Sequence, residues 1–449
     1  LMNTPLYDAM RLYIEQDRAR FHMPGHKGRG TPPFSEILPW DITEVAGADS
    51  LYHAGEAIDA FERIAAQVYG ARRTLLCAGG ATLCIQTMLA LACGAGGPVV
   101  MGRNVHRAAI NAAALLDLTP VWVMPDGSAG AWFSGRYTPQ AVEAALAEHP
   151  EASAVYITSP DYFGVMSDVA AISAVCRARG VALLVDNAHG AHLPFLPERY
   201  GNMHPIACGA SMCADSLHKT LPAMTGGALL HISQERFAGD AKSMMSVFGS
   251  TSPSYPIMLS CERAVAYAAG GAAREGFDRT ARAFDALRHF ALQKGFALPL
   301  GLSDPAKLSL CFGARGDQAG EFGAHLRIYG VEPEYISGSA CVLMADGEND
   351  ARDFERLRAA LDGLRPPVGR AAPPAAPKLP ERALSVRAAL FSPREQIPVE
   401  NCAGRVAACD CSPCPPGVPV VMPGERIDSG TAAALRRYGV RTVCVLPLF

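Results

Sequence analysis

The strongest constraint on the fold of this chain is the regular alternation of short apolar runs with helical patterns between about residues 54 and 232. The runs at 98–101, 119–123, 154–157 and 182–185 are each long enough for one buried strand, and polar or turn residues follow them. Strands that alternate with helices predict an α/β fold with a mostly parallel sheet covered on both faces. Ligands of such sheets bind at the carboxyl ends of the strands, so the polar residues after each run are the first candidates for a site.

The remaining patterns divide the 449 residues into five segments. We predict an N-terminal helix and loop at 1–45, a large domain at 46–256, a small α/β domain at 257–368, an Ala/Pro linker at 369–380 and a C-terminal domain at 381–449. Within these segments the patterns predict helices at about 5–18, 257–294 and 385–391, and a last helix–strand pair that ends at 442–446.

The charge balance excludes several classes of partner. The chain has 40 basic and 43 acidic residues and a formal net charge of −3, which gives no electrostatic basis for binding nucleic acid or a membrane surface. No apolar run is long enough to cross a bilayer, and the first residues lack the basic and apolar regions of a signal peptide. We therefore expect a globular protein of the cytoplasm.

The 14 cysteines are scattered through apolar segments, which is typical of buried free thiols in a reducing compartment. One group is denser, since Cys402, Cys409, Cys411 and Cys414 lie within one short stretch. Their spacing fits no common zinc pattern, and we predict no metal site there or elsewhere in the chain.

Lys219 is the strongest candidate for a catalytic residue. It stands in the sequence SLHKT (216–220), and a glycine pair and an apolar run follow it. A lysine amine becomes a nucleophile when burial or a neighbouring cation lowers its pKa, and it can then form a Schiff base with the aldehyde of pyridoxal 5'-phosphate (PLP). Ser216 and His218 can hydrogen-bond the phosphate of that cofactor. The alternative is an ordinary solvated lysine, but matching candidates upstream favour the catalytic interpretation.

Asp186 directly follows the apolar run at 182–185 and begins the sequence DNAHGAH (186–192). A carboxylate at a strand end, buried beneath a planar cofactor, can hold a pyridine nitrogen protonated and so make the ring an electron sink. The alternative is that Asp186 caps the next helix. The nearby His189, with Lys219 further along the chain, favours the cofactor interpretation.

Other strand ends carry weaker candidates. Gly80, Ala81 and Thr82 stand at the start of a helical pattern, where backbone N–H groups can bind a phosphate; the alternative is a simple loop. His106 follows the run at 98–101 and can stack on a cofactor ring or serve a structural role. Ser159 follows the run at 154–157 and either lines the site or belongs to a connecting turn.

Taken in this order, the motifs resemble the Orn/Lys/Arg decarboxylase family, bacterial PLP-dependent enzymes of fold type I with an aspartate-aminotransferase-like fold. The resemblance covers nearly the whole chain. It is carried by MPGHK (23–27), SPDYFG (159–164), DNAHGAH (186–192), SLHKTLPA (216–223), STSPS (250–254), GR (404–405), PPGVP (415–419) and PGE (423–425). It implies a large PLP-binding domain with a mostly parallel sheet, a smaller α+β domain and a C-terminal domain.

The resemblance also implies a role for each candidate. Lys219 corresponds to the lysine that forms the Schiff base, Asp186 to the partner of the pyridine nitrogen, and His106 to the histidine that stacks on the ring. The cofactor-binding set is Gly80, Ala81, Thr82, His106, Ser159, Asp186, His189, Ser216, His218, Lys219 and Thr251. Thr251 is expected to reach the cofactor phosphate of a partner subunit. Glu425, and with it Glu334, is expected to shape the pocket for the distal cationic group of the substrate.

The activity implied by the resemblance is the decarboxylation of arginine, lysine or ornithine to agmatine, cadaverine or putrescine, a step of polyamine biosynthesis. Arginine is slightly preferred, by analogy with the shorter members of the family. The chain resembles the short form, which lacks an N-terminal response-regulator-like domain. A homodimer or higher homo-oligomer with shared active sites is expected.

The chain departs from the family pattern at three places, and two alternatives to a decarboxylase stay open. Gly80 and Ala81 stand where the family often has hydroxyl residues, Arg107 follows the stacking histidine in place of a lysine, and Asn187 replaces a more usual acidic residue. One alternative is an aminotransferase or another PLP-dependent lyase of the same fold. The other is a catalytically weak, PLP-binding paralogue.

Overall fold

The computed structural model describes residues 2–127, 134–311, 318–336, 340–364, 378–411, 419–437 and 439–448. Most of the predicted Ala/Pro linker and Cys414 of the cysteine group lie outside these described residues. Among the helices that are described, none combines the length and the apolar character that a membrane span requires.

Helices and strands alternate along the first half of the chain. The helices are α1 (Pro5–Glu15), α2 (Ala57–Tyr69), α3 (Gly80–Cys93), α4 (Arg107–Leu115), α5 (Pro139–Glu148), α6 (Val169–Ala178), α7 (Leu217–Thr220), α8 (Glu235–Ala238), α9 (Ala241–Phe248), α10 (Tyr255–Ala268), α11 (Gly271–Gln293), α12 (Gln318–Ile328), α13 (Ala351–Gly363), α14 (Val386–Leu390) and α15 (Ser429–Arg437). The strands are β1 (Arg73–Cys77), β2 (Pro98–Gly102), β3 (Thr119–Val123), β4 (Ala154–Thr158), β5 (Ala182–Asp186), β6 (Met212–Ser216), β7 (Ala228–Ile232), β8 (Lys307–Cys311), β9 (Tyr335–Ile336), β10 (Ala340–Met344), β11 (Glu395–Pro398) and β12 (Thr442–Val445).

The predicted α/β fold with a mostly parallel sheet is confirmed. Seven strands form one sheet in the order β1-β7-β6-β5-β4-β2-β3. Strand β2 runs parallel to β3 and β4, and β5 runs parallel to β6. Strand β7 runs against its neighbours, since it pairs antiparallel with both β1 and β6. The four apolar runs identified from the sequence are β2, β3, β4 and β5.

The long helix predicted at 257–294 is wrong as a single element. Helix α10 ends at Ala268 and α11 begins at Gly271, so the helix is interrupted at the residues between them. Gly270 donates its N–H to the carbonyl of Tyr267 (2.9 Å), a bond that tightens the last turn of α10. Two consecutive glycines lower helix propensity enough for the chain to turn there.

The chain divides into two compact units. The first comprises residues 1–91, 184–279 and 346–348, and the second comprises 92–183, 280–345 and 349–449. In the first unit, Leu6, Met10 and Tyr13 recur at helical spacing along one face of α1 and are buried in a core with α2 and α10. In the second unit, β8, β10 and β9 form an antiparallel sheet, and β11 pairs antiparallel with β12 near the C-terminus.

Glu262 of α10 provides a testable pH dependence in the first unit. Its two carboxylate oxygens accept the N–H groups of Leu6 (2.8 Å) and Tyr7 (2.7 Å) at the start of α1. Burial raises the pKa of Glu262 from 4.5 to about 7, although these two bonds oppose the shift. Between these values the unfolded chain ionises before the folded chain does. We therefore expect the free energy of unfolding to fall by up to about 1.4 kcal/mol per pH unit as pH rises through this range.

The measurement is urea unfolding at several pH values between 5 and 8 for the wild type and for Glu262→Gln. The variant should lose this part of the pH slope, whatever its absolute stability. Glu275→Gln removes an exposed glutamate of α11 and should retain the wild-type slope. Identical slopes for the wild type and Glu262→Gln would show that Glu262 does not titrate in this range.

Candidate active site

Lys219 lies on the short helix α7, which follows β6 without a loop. Leu217 anchors this junction, because its side chain is fully buried and its N–H donates to the carbonyl of Gly227 (3.0 Å). The Lys219 side chain is exposed, and its Nζ lies 3.1 Å from Nε2 of the buried His189. The strand end therefore presents an amine and an imidazole within hydrogen-bonding distance, as proton exchange between them requires.

Asp186 is the last residue of β5, and its side chain is 2% exposed. Its Oδ1 accepts the N–H of Ala188 (3.1 Å), and the N–H of Asn187 donates to the carbonyl of Ala214 on β6 (3.0 Å). The chain turns here without starting an α-helix, so the alternative that Asp186 caps the next helix is wrong. The turn holds the carboxylate at the carboxyl end of the strand and brings His189 to Lys219.

The predicted phosphate loop begins α3. Gly80 has φ of +70°, a conformation that side chains disfavour, and its N–H donates to the carbonyl of Gly226 (2.8 Å). The next N–H groups belong to Ala81, whose side chain is buried, and to Thr82, whose side chain is exposed. N–H groups in the first turn of a helix have no partner within it and attract anions. Phosphate binding by this loop stays a prediction.

Ser216 and His218 flank the β6–α7 junction. Ser216 is 2% exposed, and His218 is half-buried. The carbonyl of Gly227 can only accept, so His218 donates Nδ1–H to it (3.2 Å). Burial lowers the pKa of His218, and the ring is therefore neutral at pH 7. A neutral ring with this tautomer offers only an acceptor at Nε2. His218 can donate to a phosphate through Nε2 only when a proton is added there.

His106 and Ser159 belong to the second unit. His106 is the N-cap of α4, where its Nδ1 accepts the N–H of Ala108 (3.2 Å), and its ring is exposed. This bond leaves the ring proton on Nε2 and limits rotation of the imidazole. Ser159 is buried, and its hydroxyl accepts the N–H of Ser167 (3.1 Å). His106 therefore has a structural role as a helix cap, and Ser159 has one in a connecting segment, as the alternatives to a cofactor contact proposed. The contacts of both residues with a cofactor stay predictions.

Glu425 pairs with a residue that sequence reasoning missed. Its two oxygens accept from the guanidinium of Arg103 at 2.7 and 2.8 Å, and one also accepts the N–H of Met422 (2.8 Å). Both charged side chains are buried, with 1% and 4% exposed. Arg103 also donates to the carbonyl of Val420 (3.2 Å) and lies over the ring of Trp122. The carboxylate expected to bind the substrate cation therefore neutralises a cation of its own chain.

The two remaining predicted residues lie at exposed positions. Glu334 accepts from the hydroxyl of Tyr162 (2.9 Å) within the second unit. Thr251 belongs to the first unit and precedes α10, with its side chain exposed. Their proposed contacts, to the substrate and to the partner subunit, stay predictions.

A buried charge cluster lies next to Asp186 in the first unit. The carboxylate of Asp215, on β6, lies 3.0 Å from Nε2 of His204 and 3.4 Å from Nε2 of His231. Burial alone would raise the pKa of Asp215, but the two imidazoles outweigh it and hold this pKa well below its usual range. The ionised carboxylate also accepts from Nδ2 of Asn187 (2.7 Å). This bond fixes the residue that follows Asp186.

Hydrogen bonds determine which ring nitrogen of His204 carries the proton. Ile206 donates its N–H to Nδ1 of His204 (3.4 Å), which places the ring proton on Nε2, where it is donated to Asp215. The rings of His204 and His231 both contact Tyr69. The sequence carries one sign of the cluster, namely an aspartate directly after the apolar residues Met212–Ala214 of β6.

Comparison with known proteins identifies the family of the chain. Residues 4–295 match the family described as Orn/Lys/Arg decarboxylase, major domain, and residues 376–438 match the C-terminal domain of the same family. A protein from Bacillus cereus named arginine decarboxylase is 30% identical over 448 residues, which cover 94% of this chain and 96% of that protein.

Solved structures share the fold. The structure of the E. coli constitutive lysine decarboxylase has a TM-score of 0.78 at 19% identity and covers 99% of this chain and 82% of that chain. A structure of SPT with PLP has a TM-score of 0.58 at 14% identity and covers 80% of this chain and 83% of that chain. The predicted PLP-dependent fold type I is thereby confirmed.

Proposed function

This chain belongs to the Orn/Lys/Arg decarboxylase family, and on that premise we propose that it decarboxylates arginine, lysine or ornithine with the help of PLP. The observation that carries the proposal is the arrangement in the first unit. Lys219 lies within hydrogen-bonding distance of His189, and the buried Asp186 ends β5 three residues before that histidine.

The side chains of this unit fit PLP. The cofactor needs an amine for its aldehyde, a carboxylate for its pyridine nitrogen and N–H donors for its phosphate. Lys219 supplies the amine, the buried Asp186 the carboxylate, and the first turn of α3 the N–H donors. A Cβ placed on Gly80 would meet no atom within 4 Å, so space remains beside that turn. PLP, when bound, accepts the electron pair that the departing carbon dioxide leaves behind.

The chain contributes orientation and proton control. Asp186 is held by the N–H of Ala188 (3.1 Å), so its carboxylate is positioned before a pyridinium N–H is bound. The Asp215 carboxylate fixes the adjacent Asn187 (2.7 Å) and so stiffens the same turn. We assign the return of a proton to the former α-carbon of the substrate to Lys219 Nζ, which can be resupplied by His189 at 3.1 Å.

Arginine is the substrate we favour. The Bacillus cereus relative named arginine decarboxylase matches over nearly the full length of both chains. The likeness to the lysine decarboxylase structure is one of fold, and it keeps lysine as the second substrate to test. The amine products, agmatine from arginine or cadaverine from lysine, belong to polyamine biosynthesis.

We also propose a homodimer or a higher homo-oligomer in the cytoplasm. The family resemblance supports an active site that is completed by Thr251 from a partner subunit. The cysteines in the described part of the chain are free thiols, as a reducing compartment requires.

The decisive experiment is the release of carbon dioxide and amine from arginine, lysine and ornithine by the purified protein with added PLP. We expect stoichiometric carbon dioxide and agmatine from arginine. A keto acid in place of carbon dioxide would identify an aminotransferase. Cofactor absorbance without product from any of the three amino acids would point to the weak paralogue, which the Gly80–Ala81 departure motivates.

A further inference from the structure

Two cysteines near the C-terminus lie side by side although 34 residues separate them in the sequence. Sγ of Cys409 is 3.4 Å from Sγ of Cys444, and both side chains are only partly buried. Cys409 belongs to the group that we considered for zinc, but its neighbour in the fold is a cysteine of β12. Two sulfurs at this distance are in contact and not bonded, since a disulfide bond measures about 2.05 Å.

The backbone holds the two thiols together. Ala408 donates its N–H to the carbonyl of Cys444 (3.0 Å), and Ala407 forms an antiparallel bridge with Val445. Cys444 therefore lies opposite Ala408, the residue next to Cys409, and the two cysteines are neighbours across adjacent strands. The adjacent backbones therefore need little movement for the sulfurs to close the remaining gap.

Arg394 makes Cys409 the nucleophile of the pair. Its guanidinium NH1 lies 3.0 Å from Sγ of Cys409 and places a positive charge beside this sulfur. The thiol of Cys444 differs, because burial raises its pKa to about 11. Cys411, in the same segment as Cys409, also remains a thiol at neutral pH, since burial raises its pKa to about 12. We therefore assign Cys409, the sulfur in contact with the guanidinium, as the attacking sulfur and Cys444 as the resolving thiol.

We propose that Cys409 and Cys444 are a site of reversible oxidative modification, at which a peroxide converts the dithiol into a disulfide. The Cys409 thiolate attacks the O–O bond of hydrogen peroxide and becomes a sulfenic acid, and hydroxide leaves. The Cys444 sulfur then displaces the sulfenic hydroxyl, and its thiol proton leaves with that hydroxyl as water. In total, two thiols lose two electrons and two protons, and one peroxide becomes two waters.

Other thiols of the chain provide an internal comparison. Cys77 and Cys84 also hydrogen-bond each other, but both are fully buried, and burial raises the pKa of Cys84 well above its ordinary value. Their sulfurs are therefore closed to solvent, whereas oxidation by a peroxide requires an accessible sulfur. The difference in burial predicts selective oxidation at the partly buried pair Cys409 and Cys444.

The test exposes the full-length protein, with PLP present, to hydrogen peroxide and then alkylates the remaining thiols after denaturation. We expect a loss of two alkylatable thiols, a mass decrease of 2 Da, and a cross-linked peptide pair containing Cys409 and Cys444, all reversed by dithiothreitol. Cys444→Ser should not form this cross-link, whereas Cys93→Ser, which removes another partly buried thiol, should form it as the wild type does.

A second variant tests the role assigned to Arg394. Arg394→Gln, which removes the positive charge beside Cys409, should slow the loss of the Cys409 thiol by roughly threefold or more. A disulfide that maps to other cysteines, or a Cys409–Cys444 pair still reduced after peroxide has oxidised added glutathione, would overturn the proposal. None of these readouts depends on decarboxylase activity, so the result stands apart from that of the proposed function.

Discussion

Lys219→Ala is expected to abolish decarboxylation, lowering kcat by on the order of 10³-fold or more. The substitution removes the amine that we propose to hold PLP and to return a proton to the product. It removes little else, because the Lys219 side chain is exposed while Leu217 anchors the β6–α7 junction. The measurement is amine release from arginine at saturating PLP, together with the absorbance of the bound cofactor.

The matched control is Lys294→Ala, which removes a lysine that pairs with Asp362 in the second unit. This variant should keep the wild-type rate. An active Lys219→Ala enzyme with unchanged cofactor absorbance would refute the assignment of Lys219, even if arginine proved to be the substrate.

Glu425→Ala is expected to lower the free energy of unfolding by about 3–5 kcal/mol. The alanine would leave the guanidinium of Arg103 buried without its carboxylate, and a buried charge without a partner is costly. Urea denaturation of the PLP-loaded enzyme measures the change. Glu332→Ala is the control, since it breaks the Arg327–Glu332 pair at the surface and should have a far smaller effect.

The same variant decides between two roles for Glu425. If the carboxylate serves mainly to neutralise Arg103, stability falls and the residual enzyme keeps a KM for arginine near that of the wild type. If it mainly binds the distal cation of the substrate, KM rises and stability changes little. The buried bidentate bond to Arg103 leads us to expect the first result.

Local sequence patterns predicted the sheet well because each strand needs only a short run of apolar residues. The four runs found from the sequence became β2, β3, β4 and β5, and Asp186 fell at the end of its strand as expected. The helix expected at 257–294 failed for an equally local reason. The glycines at 270 and 271 interrupt the helix although the apolar periodicity continues on both sides of them.

The pairings within the site required the folded chain. Arg103 and Glu425 are separated by 322 positions, and nothing near either residue indicates the other. Asp215 likewise shows its importance only where β6 places it beside His204, His231 and Asn187. Cys444 lies far along the chain from the cysteine group at 402–414, so its contact with Cys409 also could not be predicted from the sequence.

By itself, the sequence determined the alternation of helices with the strands β2, β3, β4 and β5, the strand-end position of Asp186 and the family to which Lys219 and its motif point. These features depend on residues within a few positions of one another, and their spacing can be read along the chain. Only the tertiary structure decided which buried charges neutralise each other and which thiols touch. Those contacts join distant segments, and they form because a buried charge must find a partner wherever the fold supplies one.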